Sequence, residues 1–204
     1  RIRLSSIEPT TVENMVIDYM KSSEKLCRYL HIPLQSGDDT ILSRMGRKYT
    51  CSQYSKILER AQSALPLCGL GCDVIVGFPG ERERHYENTV SFIRELPLSN
   101  MHVFPYSPRP GTDAESMPGH VEESEKKSRT QRLISLGKEK KELFARRFIG
   151  REASVLIEKV HRDNARSGWT GEYLRVKSPR LKGRRNETVM FTALDWSRED
   201  ASLF

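Results

Sequence analysis

The apolar positions of this chain change period along its length, and three regimes follow. In the first, short apolar runs alternate with segments whose apolar residues recur every three to four positions, the pattern of strands and helices in a parallel α/β sheet. Arg1 to Leu4 reads as a strand remnant. Thr10 and Glu13 make a capping-box pair ahead of a helix carrying Val12, Met15, Val16, Tyr19 and Met20. Arg28 to Leu34 predicts a second strand, and Asp38 or Asp39 a cap for a short helix through Met45. Thr50 with Gln53 opens a helix presenting Tyr54, Ile57, Leu58 and Ala61, which Pro66 ends. Gly69 to Val76 predicts a third strand, apolar on both faces at Val74, Ile75 and Val76. A helix from Arg84 to Leu96 and a strand from Met101 to Phe104 complete this regime.

The loop after the third strand is Gly77-Phe78-Pro79-Gly80-Glu81. Pro79 suits the second position of a type II turn and Gly80 the positive φ of the third. Gly77 would let a flat ligand approach the backbone, and Glu81 would favour the start of the next helix. The exit from the fourth strand, Pro105 to Thr112, holds three prolines and predicts a rigid exposed loop. In a parallel sheet these two loops and Gln35-Ser36-Gly37 share the carboxyl edge, where α/β folds place ligands. An ordinary βα turn has the same composition, so both readings stand at this point.

From Glu122 to Phe148 the pattern becomes that of one long charged helix, with Leu133, Leu136, Leu143 and Phe144 apolar and most charges expected on a solvated face. After Gly150 the period drops to two. Ala153, Val155 and Ile157 alternate with polar residues, Leu174 and Val176 face away from Tyr173, Arg175 and Lys177, and Thr188 to Leu194 is a further strand. This predicts a small β module of the OB type. The domain division is therefore 1–149, α/β, and 150–204, all β.

Composition changes the picture in two ways. The chain of 204 residues carries a net charge of +7, but His120 to Arg185 alone has 19 Lys and Arg against 9 Asp and Glu. A basic third of this kind is the footprint of a polyanion partner, or of solvation alone. The four cysteines, Cys27, Cys51, Cys68 and Cys72, are too scattered for a disulfide framework and read as reduced thiols. No long apolar run predicts a membrane span, and a cytoplasmic location is expected. His31 is a candidate acid or base, although a lone strand histidine is more often a satisfied core residue.

Four stretches then carry a family resemblance. Arg3-Leu4-Ser5-Ser6-Ile7-Glu8-Pro9, His31-Ile32-Pro33-Leu34-Gln35-Ser36-Gly37, Asp73 to Glu81 and Val103 to Thr112, with Arg44 to Thr50 between them, resemble the radical-SAM tRNA methylthiotransferases in order. The Ser-Ser-Ile-Glu-Pro form is most similar to the subgroup acting on threonylcarbamoyladenosine. The resemblance implies the carboxyl-terminal part of a radical-SAM, partial TIM-like barrel followed by a TRAM domain. It implies methylthio transfer to C2 of an adenosine next to the anticodon, S-adenosylmethionine as cofactor, and two 4Fe-4S clusters. The C-x3-C-x2-C motif of the radical cluster is absent from this sequence, so the expectation is a fragment, inactive alone, whose cluster ligands lie in a missing amino-terminal part.

By the same resemblance Val76, Gly77 and Phe78 line the adenine, Ser5 and Ser6 reach the ribose, and Gln35 and Ser36 hold the polar part of the ligand. Local turn bonding is the alternative role of the serine hydroxyls. At the open face Tyr106 would stack on a base and Arg109 hold a phosphate or carboxylate. The β module would be the tRNA handle, with Arg175, Lys177, Arg180, Lys182, Arg184 and Arg185 near Trp169 and Tyr173, and Arg146, Arg147 and Arg151 extending the track. Two rivals are a non-catalytic RNA-binding protein on a degenerate half-barrel and a radical-SAM enzyme with another substrate.

Overall fold

Two sheets, joined by one long helix, organise the chain in a computed structural model that describes residues 1–12 and 14–204. The first sheet has three parallel strands in the order β1 (Tyr29–His31), β2 (Gly69–Val76), β3 (Asn100–Pro105). Its crossovers are helical: α2 (Asp39–Arg44) and α3 (Cys51–Ala64) between β1 and β2, and α4 (Glu83–Glu95) between β2 and β3. An earlier helix, α1 (Asn14–Ser22), follows a 3-10 turn at Pro9–Thr11, and a short α5 (Asp113–Ser116) follows β3.

Local chemistry accounts for these boundaries. Thr50 and Gln53 form the reciprocal capping box at the start of α3, with Gln53 N–H 3.2 Å from Thr50 Oγ1 and Thr50 N–H 2.9 Å from Gln53 Oε1. Asp38 caps α2 through the N–H groups of Thr40 (2.9 Å) and Ile41 (3.1 Å). The apolar faces of these helices meet β2, whose alternate residues Leu70, Cys72, Val74 and Val76 are buried. They form one core with Leu30, Ile32, Leu34, Tyr54, Leu58, Val90 and Ile93.

Several expectations need correction. The first strand reduces to a single bridge between Ile2 and Leu26, because its partner Leu26 lies outside β1 and the ladder goes no further. The second strand is regular only over Tyr29–His31. Pro33 has no N–H to donate, yet Leu34 (3.2 Å) and Gln35 (2.8 Å) both donate to the Asp73 carbonyl, so the chain still tracks β2. In α1 the buried residues are Ile17 and Met20, whereas Met15 and Tyr19 are exposed. The Glu13 half of the proposed capping box lies outside the described residues.

The second sheet has six strands in the order β7 (Thr188–Thr192), β4 (Glu152–Val160), β5 (Arg166–Thr170), β6 (Arg175–Ser178), β9 (Ser202–Leu203), β8 (Trp196–Ser197). All neighbours are antiparallel except β6 and β9, which pair in parallel at Val176 and Leu203. The sheet is therefore mixed rather than wholly antiparallel. Its core contains Val155, Ile157, Leu174, Val176, Phe191 and Trp196.

Helix α6 (Glu123–Arg146) serves both units. Leu133 lies in the first core, and Phe144 and Ala145 lie in the second together with Phe148. Leu143, expected among the apolar contacts, is exposed, while Lys126 and Arg129, expected on a solvated face, are buried. The reversal arises because the amino-terminal half of α6 crosses polar loop backbone at the sheet's carboxyl edge, where cations find carbonyl and carboxylate partners. Among the described residues, no helix is long and apolar enough to cross a membrane.

The units also touch directly. A Cβ on Gly69 would stand 2.3 Å from the Glu172 carbonyl oxygen and 2.8 Å from Tyr29 Cδ2. Arg1 donates to the carbonyls of Trp169 and Ser154, and Arg3 sits 4.1 Å from the Tyr173 ring centroid. Gly69→Ala is expected to destabilise the protein by about 1–3 kcal/mol through overpacking at this contact. Chemical denaturation of the two proteins checks it.

Candidate functional site

The three carboxyl-edge loops meet as the parallel arrangement requires. Gln35, Phe78, Tyr106 and Arg109 line one cavity of about 560 Å³, together with Ile75 and Phe104 from the strands. The turn at its wall is type II: Glu81 N–H donates to the Phe78 carbonyl (2.9 Å), and Gly80 has φ of 86°. Phe78 and Tyr106 meet edge to face with centroids 5.3 Å apart. Gln35, bridged in parallel to Val74 beyond the end of β1, has φ of 65° and lines the cavity.

A buried ion pair holds this wall. Glu81 Oε1 accepts from Gly77 N–H (2.8 Å) and from Arg129 Nη1 (2.8 Å), and both side chains are almost wholly buried. Arg129 also pairs with Glu83 (3.0 Å) and with Glu125 one turn earlier on α6. Burial pushes the Glu81 carboxyl above its ordinary range, against the pull of the Gly77 N–H and of Arg129. Glu81 is thus the clasp of the turn. The start of the following helix is capped instead by the His85 ring, whose Nδ1 accepts from Arg82 N–H at 3.1 Å.

Lys126 closes the same wall from α6. Its stem crosses Gly77 so closely that a Cβ there would stand 2.2 Å from Lys126 Cγ. Its ammonium donates to the Tyr106 carbonyl at 3.2 Å and pairs with Glu123. The space expected for a flat ligand over Gly77 is therefore occupied by lysine methylenes. On the far side Arg44 Nε donates to the Pro79 carbonyl (3.0 Å), and Gly80 N–H donates to the Gly119 carbonyl (2.7 Å).

The remaining expected residues separate into groups. Val76 points into the core and its carbonyl accepts from Tyr106 N–H at 2.7 Å. Ser36 is fully buried, its hydroxyl 3.3 Å from Thr89 Oγ1 and accepting from Asp38 N–H at 3.3 Å. That is the local turn bonding weighed as its alternative role. Ser5 and Ser6 line a second cavity with Tyr29, His31 and His102, which shares only Asp73 with the first. The Tyr106 hydroxyl is buried and unpartnered, leaving a donor and an acceptor at the rim.

On the β module, Arg180, Lys182, Arg184 and Arg185 are exposed in the loop after β6, and Arg175 and Lys177 lie on β6 itself. Lys177 pairs with Asp200 (2.9 Å) and Arg180 lies 5.7 Å from the Phe191 ring centroid. Trp169 and Tyr173 stack at 4.7 Å. Arg146 and Arg147 are exposed at the end of α6, where Arg146 pairs with Glu142 at 2.9 Å and Arg147 donates to the Pro66 carbonyl at 2.6 Å.

The residues that sequence reasoning missed are Lys126, Arg129, Asp73 and His102. Asp73 and His102 are register partners on β2 and β3, a pairing that parallel strand order alone does not fix. The charges of α6 gave no such signal.

Nucleoside-sized chemistry fits the first cavity, which has aromatic walls with the Gln35 amide and Arg109 at its edge. An iron–sulfur cluster does not fit the cysteines. All four are free, Cys27, Cys68 and Cys72 being buried and Cys51 half-buried, and among the described residues no three of them come together as ligands. Desolvation, the largest cause, pushes the thiols of Cys51 and Cys68 up to about 12, and that of Cys72 up as well, whereas ligation requires thiolate.

The carboxyl-edge site sits on a parallel α/β sheet. Residues 1–93 match the family model of the Radical SAM superfamily. Coproporphyrinogen III oxidase from Escherichia coli, described as a radical SAM enzyme, superposes with a TM-score of 0.54 over 66% of this chain and 31% of that one, at 17% identity. The chain is also a relative of the radical-SAM tRNA methylthiotransferases. It is 39% identical over 180 residues to the threonylcarbamoyladenosine tRNA methylthiotransferase of Bacillus subtilis, covering 86% of this chain and 40% of that protein. The enzyme of the same description from Thermotoga maritima is 38% identical over 175 residues, with the same coverage. The tRNA-2-methylthio-N(6)-dimethylallyladenosine synthase of Bartonella tribocorum is 38% identical over 173 residues, covering 83% and 38%. The chain thus spans about two fifths of the length of these relatives.

Two outcomes follow from the wall's construction. Arg129→Met leaves Glu81 buried without its partner and is expected to cost about 3–5 kcal/mol, whereas Glu81→Gln with Arg129→Met recovers part of that loss; urea unfolding of single and double variants measures both. Asp38 behaves differently. Burial, the largest single influence, pushes its carboxyl upward, but the hydrogen bonds from Asn88, Ile41 and Thr40 and the charge of His85 outweigh it and hold the group below its usual range. Its contribution is present above the unfolded carboxylate range and is lost as pH falls through the folded one. Asp38→Ala is expected to cost about 1–2 kcal/mol at pH 7 and progressively less below about pH 4, read from melting against pH.

Proposed function

We propose that the chain is the carboxyl-terminal part of a tRNA methylthiotransferase that installs a methylthio group at C2 of a modified adenosine beside the anticodon. The favoured substrate is N6-threonylcarbamoyladenosine. The observation that carries this is the aromatic cavity built from Gln35, Phe78, Tyr106 and Arg109 at the carboxyl edge of the sheet. The similarity to methylthiotransferases supports the reaction class, and the Ser5-Ser6-Ile7-Glu8-Pro9 stretch supports the subgroup. A tRNA substrate implies a cytoplasmic protein.

In this reading residues 1–149 are half-barrel and 150–204 a TRAM-like module. Phe78 and Tyr106 hold the adenine of S-adenosylmethionine, and the Gln35 amide offers donor and acceptor to its polar part. Gly77 and Val76 contribute by fixing the turn, and Ser36 by fixing the loop that carries Gln35. Ser5 and Ser6 face the neighbouring cavity, toward the ribose or the substrate. When bound with an iron–sulfur cluster, adenosylmethionine supplies the methyl group and the radical chemistry. The ligands of both clusters are assigned to residues outside this chain, which alone is inactive. Arg109 and the exposed cations of the β6 loop hold RNA phosphates, while Arg146 and Arg147 act within the fold.

Phe78→Ala is expected to weaken adenosylmethionine binding by about 5–100-fold, the worth of one base stack, in equilibrium dialysis. Arg184→Ala with Arg185→Ala is expected to lower the slope of log affinity for tRNA against log salt by about 2. Mass spectrometry of tRNA from cells lacking the gene decides the reaction: loss of a methylthio nucleoside supports the reading, and an unchanged set overturns it. Salt-independent tRNA binding together with that unchanged set would leave neither methylthiotransferase nor electrostatic RNA handle.

A further inference from the structure

We propose that His31, Asp73 and His102 form a binding site for one divalent transition-metal ion of the zinc class, on the parallel sheet beside the proposed adenosylmethionine cavity, with which it shares Asp73. The three residues come from β1, β2 and β3: Asp73 and His102 are register partners, and His31, whose partner on β2 is Gly71, lies diagonally two positions from Asp73 on the same face. One ligand atom from each lies within 4.8 Å of the others, the only such group of three among the described residues. His31 Nε2 is 3.0 Å and His102 Nδ1 is 3.2 Å from Asp73 Oδ1. Tetrahedral ligation at zinc bond lengths places donor atoms about 3.3 Å apart, so the observed spacing needs little adjustment.

Three further observations point to a cation. Asp73 has no Lys or Arg partner within 4.0 Å among the described residues, although its side chain is only 22% exposed. Arg3, the cation that lines the same cavity, is held over the Tyr173 ring. The outer nitrogens of the imidazoles are also engaged: Tyr29 Oη lies 3.2 Å from His31 Nδ1, and the Asn100 amide lies 3.4 Å from His102 Nε2. The Asn100 amide nitrogen also donates to Tyr29 Oη at 3.5 Å, so both rings are held in place from the side away from Asp73.

Two imidazoles and one carboxylate suit Zn²⁺ and its neighbours in the transition series better than Mg²⁺ or Ca²⁺. The cavity of about 330 Å³ over the cluster leaves the remaining coordination positions open to water or to a group from a ligand.

The test is titration of the chelator-treated 204-residue chain with Zn²⁺ by calorimetry and with Co²⁺ by visible absorption. One equivalent is expected, at micromolar affinity or tighter. Asp73→Asn keeps the shape and hydrogen-bonding capacity but removes the charge, and His102→Ala removes a half-exposed ligand. Each is expected to weaken binding at least 100-fold with circular dichroism unchanged. His161→Ala, in the β module, is expected to retain it. Absence of binding in the unmodified chain, or retention in a folded Asp73→Asn or His102→Ala variant, overturns the proposal and leaves a hydrogen-bonded triad only.

Discussion

Everything at the carboxyl edge of the parallel sheet depends on a carboxylate removed from water. Glu81 is buried with Arg129, and through its second contact to Gly77 N–H it converts a five-residue loop into a fixed wall. Such pairs gain little over apolar packing but punish the loss of either partner, since a lone charge is left in low dielectric. What the pair contributes here is position. Arg129 arrives on α6, 48 residues beyond Glu81, so the turn is defined only when the helix has docked.

The helix docks by more than that pair. Lys126 lays its methylenes over Gly77 and extends its ammonium to the Tyr106 carbonyl, so one side chain ties the loop after β2 to the loop after β3. A glycine is required there for two reasons, its φ of 76° and the lysine above it. The same residue would have served a ligand approaching the backbone. Composition does not distinguish those uses, and here the lysine methylenes take the space above the glycine.

This contrast runs through the whole reading. Strands, crossover helices and caps were legible because they depend on local chemistry: the Thr50–Gln53 box, Asp38 ahead of α2, and the Pro79–Gly80 turn all operate within four residues. The convergence of Gln35, Phe78, Tyr106 and Arg109 followed from parallel topology. The buried cations of α6 were not legible, since a Lys or Arg in a charged helix carries no mark of its partner's distance. Nor was the registry of His31, Asp73 and His102, which depends on strand pairing and not on spacing along the chain.

The division of the chain reads differently once α6 is taken as a shared part. The period change at Gly150 is real in the pattern, yet Phe144, Ala145 and Phe148 lie before it and belong to the second core. A piece cut at the sequence boundary would leave the β sheet with an uncovered apolar face and take from the sheet of β1 to β3 none of its own residues. The two units are thus unequal in what they can spare: the α/β part contains its whole core, whereas the β module borrows the floor it stands on.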